Sequence, residues 1–299
     1  MFEHLTLVLE NLSSIFQDSS LLLYTTTLLF GLCVGSFLNV IAYRLPLMME
    51  RDWKIECHEF LELDPPKLEP GLRDINLATP RSACPSCGHQ LHWWENIPVI
   101  SYLFLRAKCS SCSTSISAQY PIVELLTGLA SLTVAYIFGA TLQTLAALFF
   151  TWTLIALTLI DLKKLLLPDS ITLPLLWLGI TLSMFNVFTD LKSSIIGAIA
   201  GYLILWLVYH LFKLLTKKEG MGYGDFKLLA ALGAWIGFSF LPQIILVSSV
   251  VGSIVGISML VIGKTKQQQP IPFGPYLATA GWIALLWGDK INTTYLSFL

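Results

Sequence analysis

The stretch LQTLAALFFTWTLIALTLID, residues 142–161, runs nineteen positions without a charge and then ends on an aspartate. Nineteen helical residues cover about 28 Å, close to the ~30 Å hydrocarbon core of a bilayer. The run therefore reads as a membrane-spanning helix with Asp161 at its boundary. Working outward, seven further apolar runs occur at 21–43, 120–138, 171–188, 194–212, 228–240, 243–262 and 273–287. About eight spans are predicted. Run 228–240 is short, and its end rests on Pro242 as the break before the next span.

Composition agrees. With 55% hydrophobic and 12% charged residues and a mean hydropathy of +0.70, the chain has too little polar surface for a soluble globule of this length. An all-α polytopic membrane protein is expected, with lipids as its surroundings and no nucleic-acid partner. A cleavable signal is not expected, because the first twenty residues carry Glu3, Glu10 and Asp18 but no Lys or Arg. Threading eight spans from an outside N-terminus puts 16 of the 18 Lys and Arg on one face, leaving Lys192 and Lys290 opposite. That face is expected to be the cytoplasm. With the longest loop set aside, eight basic residues still stand against two.

This threading divides the chain into a periplasmic N-terminal segment (1–20), a first span (21–43), a polar cytoplasmic module (44–119), a bundle of spans (120–289) and a tail (290–299). The polar module contains eight basic and nine acidic residues. No internal repeat is present, and low complexity is confined to Gln267-Gln268-Gln269.

Within the module, Cys84-Pro85-Ser86-Cys87 and Cys109-Ser110-Ser111-Cys112 form two C-x2-C knuckles 21 residues apart. Four thiolates at this spacing suit one tetrahedral Zn²⁺. Two disulfides are disfavoured on a reducing face, and a redox pair needs no second knuckle. His89 and His92 fall between the knuckles and could replace a cysteine, although four sulfurs already close the site. A closed site leaves no open position for water, so the metal is expected to stabilise a small module. Cys33 and Cys57 stand alone and read as small apolar residues.

The bundle carries the chemistry. Asp161 and Asp225 are separated by two crossings, and an even number of crossings returns the backbone to its starting face. Asp225 ends the run Gly220-Met221-Gly222-Tyr223-Gly224-Asp225, with Lys227 two residues on. Alternate glycines disfavour regular helix and allow close backbone approach, which places Asp225 on unwound chain or a helix N-terminus. Taken singly, each aspartate has an ordinary explanation: Asp161 could pair with Lys163 or Lys164, and Asp225 could cap a span. Asp169 reads as an N-cap after Pro168. Taken together, two carboxyls on one face form a dyad that shares a proton. The ionised member activates water while the protonated member hydrogen-bonds a scissile carbonyl. Glu124, just inside the second span, is a secondary candidate. No His-Glu-x-x-His occurs, and Ser36 has no histidine deep in a span to serve as its base.

These motifs resemble the type IV prepilin leader peptidase and N-methyltransferase family. The resemblance runs through Gly35-Ser36-Phe37-Leu38-Asn39-Val40, Tyr43-Arg44-Leu45-Pro46, the two knuckles and Asn96-Ile97-Pro98-Val99-Ile100-Ser101-Tyr102. It continues through Tyr120-Pro121-Ile122-Val123-Glu124, Asp161, the Gly-x-Gly-Asp-x-Lys run and Phe273-Gly274-Pro275-Tyr276. It implies a bifunctional inner-membrane enzyme of type IV pilus or type II secretion systems. Such an enzyme cleaves the basic leader of a prepilin or pseudopilin, then methylates the exposed amine with S-adenosylmethionine. Asp161 and Asp225 match the protease aspartates, with Gly222, Gly224, Lys227 and Glu124 as supporting residues. The resemblance names no residues for the methyl donor, and the large loop with the nearby Gly35–Asn39 run is the first place to look. Ala107 stands where glycine is common, and Gln119 where a basic residue is frequent. Two other readings compete. A proton-coupled transporter would use the same carboxylates as a relay, but they cluster near one face. A zinc-bearing scaffold leaves the glycine-rich aspartate motif unexplained.

Overall fold

The computed structural model describes residues 16, 19–68, 71–262 and 271–297. Most of the N-terminal segment and the Gln267–Gln269 tract lie outside them. The regular secondary structure of the described residues is helical, with no β-strand beyond two isolated bridges. Eight helices of fourteen residues or more take up the eight apolar runs: α1 Ser20–Phe60, α2 Gln119–Phe138, α3 Leu142–Lys164, α4 Asp169–Ser183, α5 Leu191–Thr216, α6 Tyr223–Ile236, α7 Leu241–Val261 and α8 Gly274–Leu296. Five stretches among the described residues are long and apolar enough to cross a bilayer: α1, α2, α3, α5 and Phe238–Val261. This is a multi-pass membrane protein. The chain forms two compact units, Met1–Ala140 and Thr141–Leu299.

In the first unit α1 packs on α2 through small residues. A Cβ at Gly31 would meet Ser131 Oγ at 2.6 Å, and one at Gly35 would meet the Glu124 Cα at 2.7 Å. This Gly-x3-Gly stripe lets two apolar helices approach closely where lipid supplies no hydrophobic drive for association. α1 does not stop where its apolar run does. It continues through Pro46 to Phe60, and two arginines seven residues apart tie the following loop along it. Buried Arg44 donates to the Asn76 and Pro80 carbonyls at 3.0 and 2.6 Å. Arg51 donates to the Ile75 carbonyl at 2.9 Å.

In the second unit α6 is the axis. Every residue from Leu228 to Ile236 is buried, so a 14-residue helix, about 21 Å long, is surrounded by protein rather than matched to lipid. α5 lies against it with backbone touching backbone, Gly197 on the Gly233 carbonyl and Gly201 on that of Leu229. Trp235 anchors the core. Its indole N–H donates to the Leu175 carbonyl at 2.8 Å, and its ring lies 4.7 Å from that of Phe150. The break after α6 is made by Gly237 rather than Pro242. Gly237 takes φ +94°, where any side chain would be strained, and donates back to the Gly233 carbonyl at 2.9 Å. Pro242 instead sits in the first turn of α7, where its missing N–H costs nothing.

Candidate active site and metal centre

α4 and α5 lie in the chain between Asp161, in the last turn of α3, and Asp225, in the first turn of α6. Both carboxyls are buried, at 5% and 7% exposure, and both belong to the second unit. The second unit thus unites the two aspartates. The Gly274 amide at the start of α8 donates to Asp161 Oδ2 at 3.0 Å, fixing one carboxylate oxygen. Among the described residues, Asp225 Oδ1 is buried without a hydrogen-bond partner. A buried carboxyl oxygen left without a partner is costly.

Why the chain folds this way locally is a matter of close approach. A Cβ at Gly274 would stand 2.7 Å from Asp161 Oδ2 and 3.1 Å from Leu167 Cδ2; one at Gly224 would stand 2.7 Å from Leu167 Cβ. Leu167, buried in the connection between α3 and α4, is therefore a wedge touching the glycines beside both aspartates. Two residues on, Asp169 heads α4, and both its carboxylate oxygens lie 2.7 Å from Lys227 Nζ. Asp169 was expected as an N-cap; Pro168 occupies that position and Asp169 instead pins the start of α4 to the second turn of α6. The pairing unites residues 58 positions apart, which no local spacing reveals. Gly222 is the N-cap of α6, and a Cβ there would lie 3.8 Å from Asp225 Oδ2. Asp225 thus occupies a helix N-terminus, as the alternate glycines led one to expect.

Glu124 lies in the first unit, not with the aspartates of the second. Buried at 7% exposure, it accepts the Val99 amide at 2.7 Å through Oε2. Asn39, one helical turn along α1 from Ser36, donates to the Gly35 and Tyr120 carbonyls at 3.2 and 3.3 Å.

The four cysteines converge. Their sulfurs lie within 4.8 Å of one another, with Cys84 and Cys112 at 3.7 Å and Cys87 and Cys109 at 4.0 Å. A tetrahedron with metal–sulfur bonds of about 2.3 Å has edges of about 3.8 Å, so two of the sulfur pairs already stand close to the spacing one ion requires. The two knuckles repeat one geometry. The first cysteine of each accepts an amide four residues on, from Gly88 and Ser113 at 2.9 and 3.0 Å. Gly88 and Ser113 are both left-handed, at φ +72° and +57°. The Thr114 hydroxyl and amide pull the Cys112 thiol down to about 6. Amides of Ser86 and Cys87 lower that of Cys84. At Cys87 the His89 amide acts in the lowering direction, yet desolvation and the neighbouring sulfurs push it up to about 11. Four adjacent sulfurs cannot all ionise without a cation among them, the condition under which metal binding becomes folding energy.

His89 and His92 are not among these ligands. His89 Nε2 stands 3.2 Å from Glu95 Oε2 and 3.3 Å from Ser110 Oγ, and the His92 amide donates to Glu95 Oε2 at 2.7 Å. Burial opposes ionisation of Glu95, but the hydrogen bonds from Ser110, the His92 amide and His89 outweigh it and hold its pKa below the usual value. Glu95 thereby ties the chain after the first knuckle to Ser110 in the second. Sequence reasoning missed this link; the Trp-Trp-Glu-Asn run beside the knuckles was its only visible trace.

Residues 29–138 match the model of the bacterial peptidase A24 N-terminal domain, and residues 148–257 that of the type IV leader peptidase family. The chain is 57% identical over 271 residues to the prepilin leader peptidase/N-methyltransferase of Stutzerimonas stutzeri, covering 91% of this chain and 93% of that protein. It is 57% identical over 272 residues to the protein of the same name from Pseudomonas aeruginosa, with the same coverage. Against that of Aeromonas salmonicida it is 54% identical over 276 residues, covering 92% and 94%. No solved structure matches the chain.

Proposed function

The chain belongs to the type IV leader peptidase family, and from that premise we propose that Asp161 and Asp225 are its peptidase dyad. The protein is a bifunctional enzyme that removes the leader of a prepilin and methylates the new N-terminus. The observation that carries the dyad is the burial of both carboxyls in one unit, with Leu167 packed against the glycines beside each and Asp225 Oδ1 lacking a partner among the described residues.

The pair holds one proton and titrates as a unit. Its ionised carboxylate draws a proton from water as the water oxygen attacks the scissile carbonyl carbon. Its protonated carboxyl donates to the carbonyl oxygen, giving a tetrahedral diol. Return of a proton to the amide nitrogen breaks the C–N bond and releases leader acid and pilin amine. Gly274 orients Asp161 during these transfers, and Leu167 with the Asp169–Lys227 pair holds the α6 end beside it. Gly222 and Gly224 admit this approach.

Cys84, Cys87, Cys109 and Cys112 would hold one structural Zn²⁺, which cross-links the two knuckles and takes no part in hydrolysis. S-adenosylmethionine is the methyl donor in this reading. The described residues contain no β-strand, so the strand–turn–helix cradle of nucleotide-fold methyltransferases is not its binding site. All eight helices cross or enter the inner membrane, with knuckles and dyad on the cytoplasmic side, where the Lys and Arg concentrate. Pseudopilins of type II secretion join prepilins as substrates. In this reading a polar cytoplasmic module, 44–119, lies in the chain between the first span, 21–43, and a bundle of spans, 120–289.

Purified protein incubated with a prepilin peptide and labelled S-adenosylmethionine, with products weighed by mass spectrometry, tests both activities in one run. Asp161→Asn and Asp225→Asn are each expected to abolish cleavage while an already cleaved peptide is still methylated. Appreciable cleavage by either variant removes the dyad.

A further inference from the structure

The turn Pro98–Val99–Ile100 takes no part in peptide hydrolysis, yet it is tightly constrained. Val99 stands at φ 61° and ψ −47°, a conformation that β-branched residues avoid. Two hydrogen bonds hold it there. The Ile100 amide donates to the Pro98 carbonyl at 2.6 Å, closing a three-residue turn, and the Val99 amide donates to buried Glu124 at 2.7 Å. The consequence is positional. Glu124 is in the second turn of α2, so the strained turn is tethered to the Gln119 end of a membrane-spanning helix. With 20 residues, α2 is about 30 Å long and its two ends mark the two boundaries of the hydrocarbon core. Glu124 lies about 7.5 Å along that axis from Gln119.

What the turn presents at this depth is apolar and uncovered. The helical turn Ile100–Phe104 buries none of its residues. Ile100 is 64% exposed, Leu103 69%, Phe104 81%, and Trp93, just upstream, 79%. A contiguous surface of this kind marks a contact. Its chemistry is that of a membrane interface: indole rings and aliphatic side chains, followed by exposed Arg106 and Lys108 that complement anionic headgroups. It is also continuous in depth with the exposed apolar side chains of Ile122, Leu125 and Leu126 on α2.

We propose that the Trp93–Phe104 segment seats in the headgroup–acyl boundary of the leaflet at the Gln119 end of α2, with the Glu124–Val99 hydrogen bond setting its height. The zinc-knuckle region is thereby held to the bilayer by a surface contact in addition to the spans on either side of it.

The test uses the full chain in nanodiscs of phosphatidylcholine and phosphatidylglycerol whose acyl chains carry bromine near the headgroup end. Emission from Trp93 and Trp94 is isolated by difference against the Trp93→Phe/Trp94→Phe variant. Bromine is expected to quench that emission about two-fold or more, while aqueous acrylamide leaves it nearly unchanged. Leu103→Glu/Phe104→Glu, which alters exposed side chains alone, should reverse the pattern with the bound metal content unchanged. Emission quenched by acrylamide and untouched by bromine overturns the proposal. So does emission shielded from acrylamide only after an apolar pilin segment is added, which would make this a docking surface for protein. The readout needs no catalysis, so loss of the dyad reading leaves it intact, and the reverse also holds.

Discussion

Replacing Gly274 by alanine tests the geometry of the dyad without touching either carboxyl. The new Cβ would stand 2.7 Å from Asp161 Oδ2, about 0.7 Å inside the 3.4 Å at which ordinary contact begins. The way out on the other side is narrow, because Leu167 Cδ2 lies 3.1 Å from the same position. The carboxylate must therefore swing away from the Gly274 amide and lose its 3.0 Å hydrogen bond. A hydrogen bond to a charged group contributes about 1.5–3 kcal/mol, which corresponds to roughly 10- to 150-fold in rate. A misplacement approaching 1 Å in a reacting group costs about 100-fold, so the two routes agree on one to two orders of magnitude. The assay is steady-state cleavage of a prepilin peptide. The loss is expected in kcat, with KM within about two-fold, because Gly274 orients a carboxyl rather than binding the leader. Gly256→Ala is the control; among the described residues its Cβ would meet only Ile271 Cδ1, at 3.3 Å, the flexible end of a side chain. If Gly274→Ala cleaves within two-fold of the parent, the amide does not position Asp161 and the reasoning fails.

Other expectations follow from the same geometry. Breaking the half-exposed Asp169–Lys227 pair with Lys227→Met should cost at most about 1 kcal/mol of stability yet lower cleavage several-fold. The charge-reversed pair Asp169→Lys/Lys227→Asp should recover much of it, and cleavage kinetics alongside thermal denaturation separate the two effects. Cys84→Ser should release the metal, measured by elemental analysis, and lower the melting temperature of the first unit; unchanged stability after metal loss contradicts a structural role. Ala107 sits at φ +60°, so Ala107→Gly should stabilise the knuckle region by about 0.5–1 kcal/mol in denaturant titration.

Some of this was legible in the chain and some was not, for identifiable reasons. The eight apolar runs became eight helices because each is uniformly apolar over enough length, a property of the run alone. The junction near Pro242 was misplaced because proline was weighed as the breaker, whereas Gly237 has the conformational freedom that ends α6 and proline merely begins α7. The length of α1 was hidden because polarity rises after Tyr43 while helicity persists, carried by Arg44 and Arg51 bonding the loop along it. Glu124 was visible as a polar residue in an apolar helix, but its partner, the Val99 amide, comes from a turn 25 residues upstream.

By itself the sequence determined the class of the protein and pointed to the grouping of its four paired cysteines. Apolar length and cysteine spacing depend only on positions along the chain. Tertiary structure alone decided which backbone amide holds Asp161, which cation pins the start of α4 and which carboxylate sustains the strained turn at Val99. Each of these is a contact between distant segments, and a hydrogen bond effective over about 3 Å exists only once packing has brought both partners to one place.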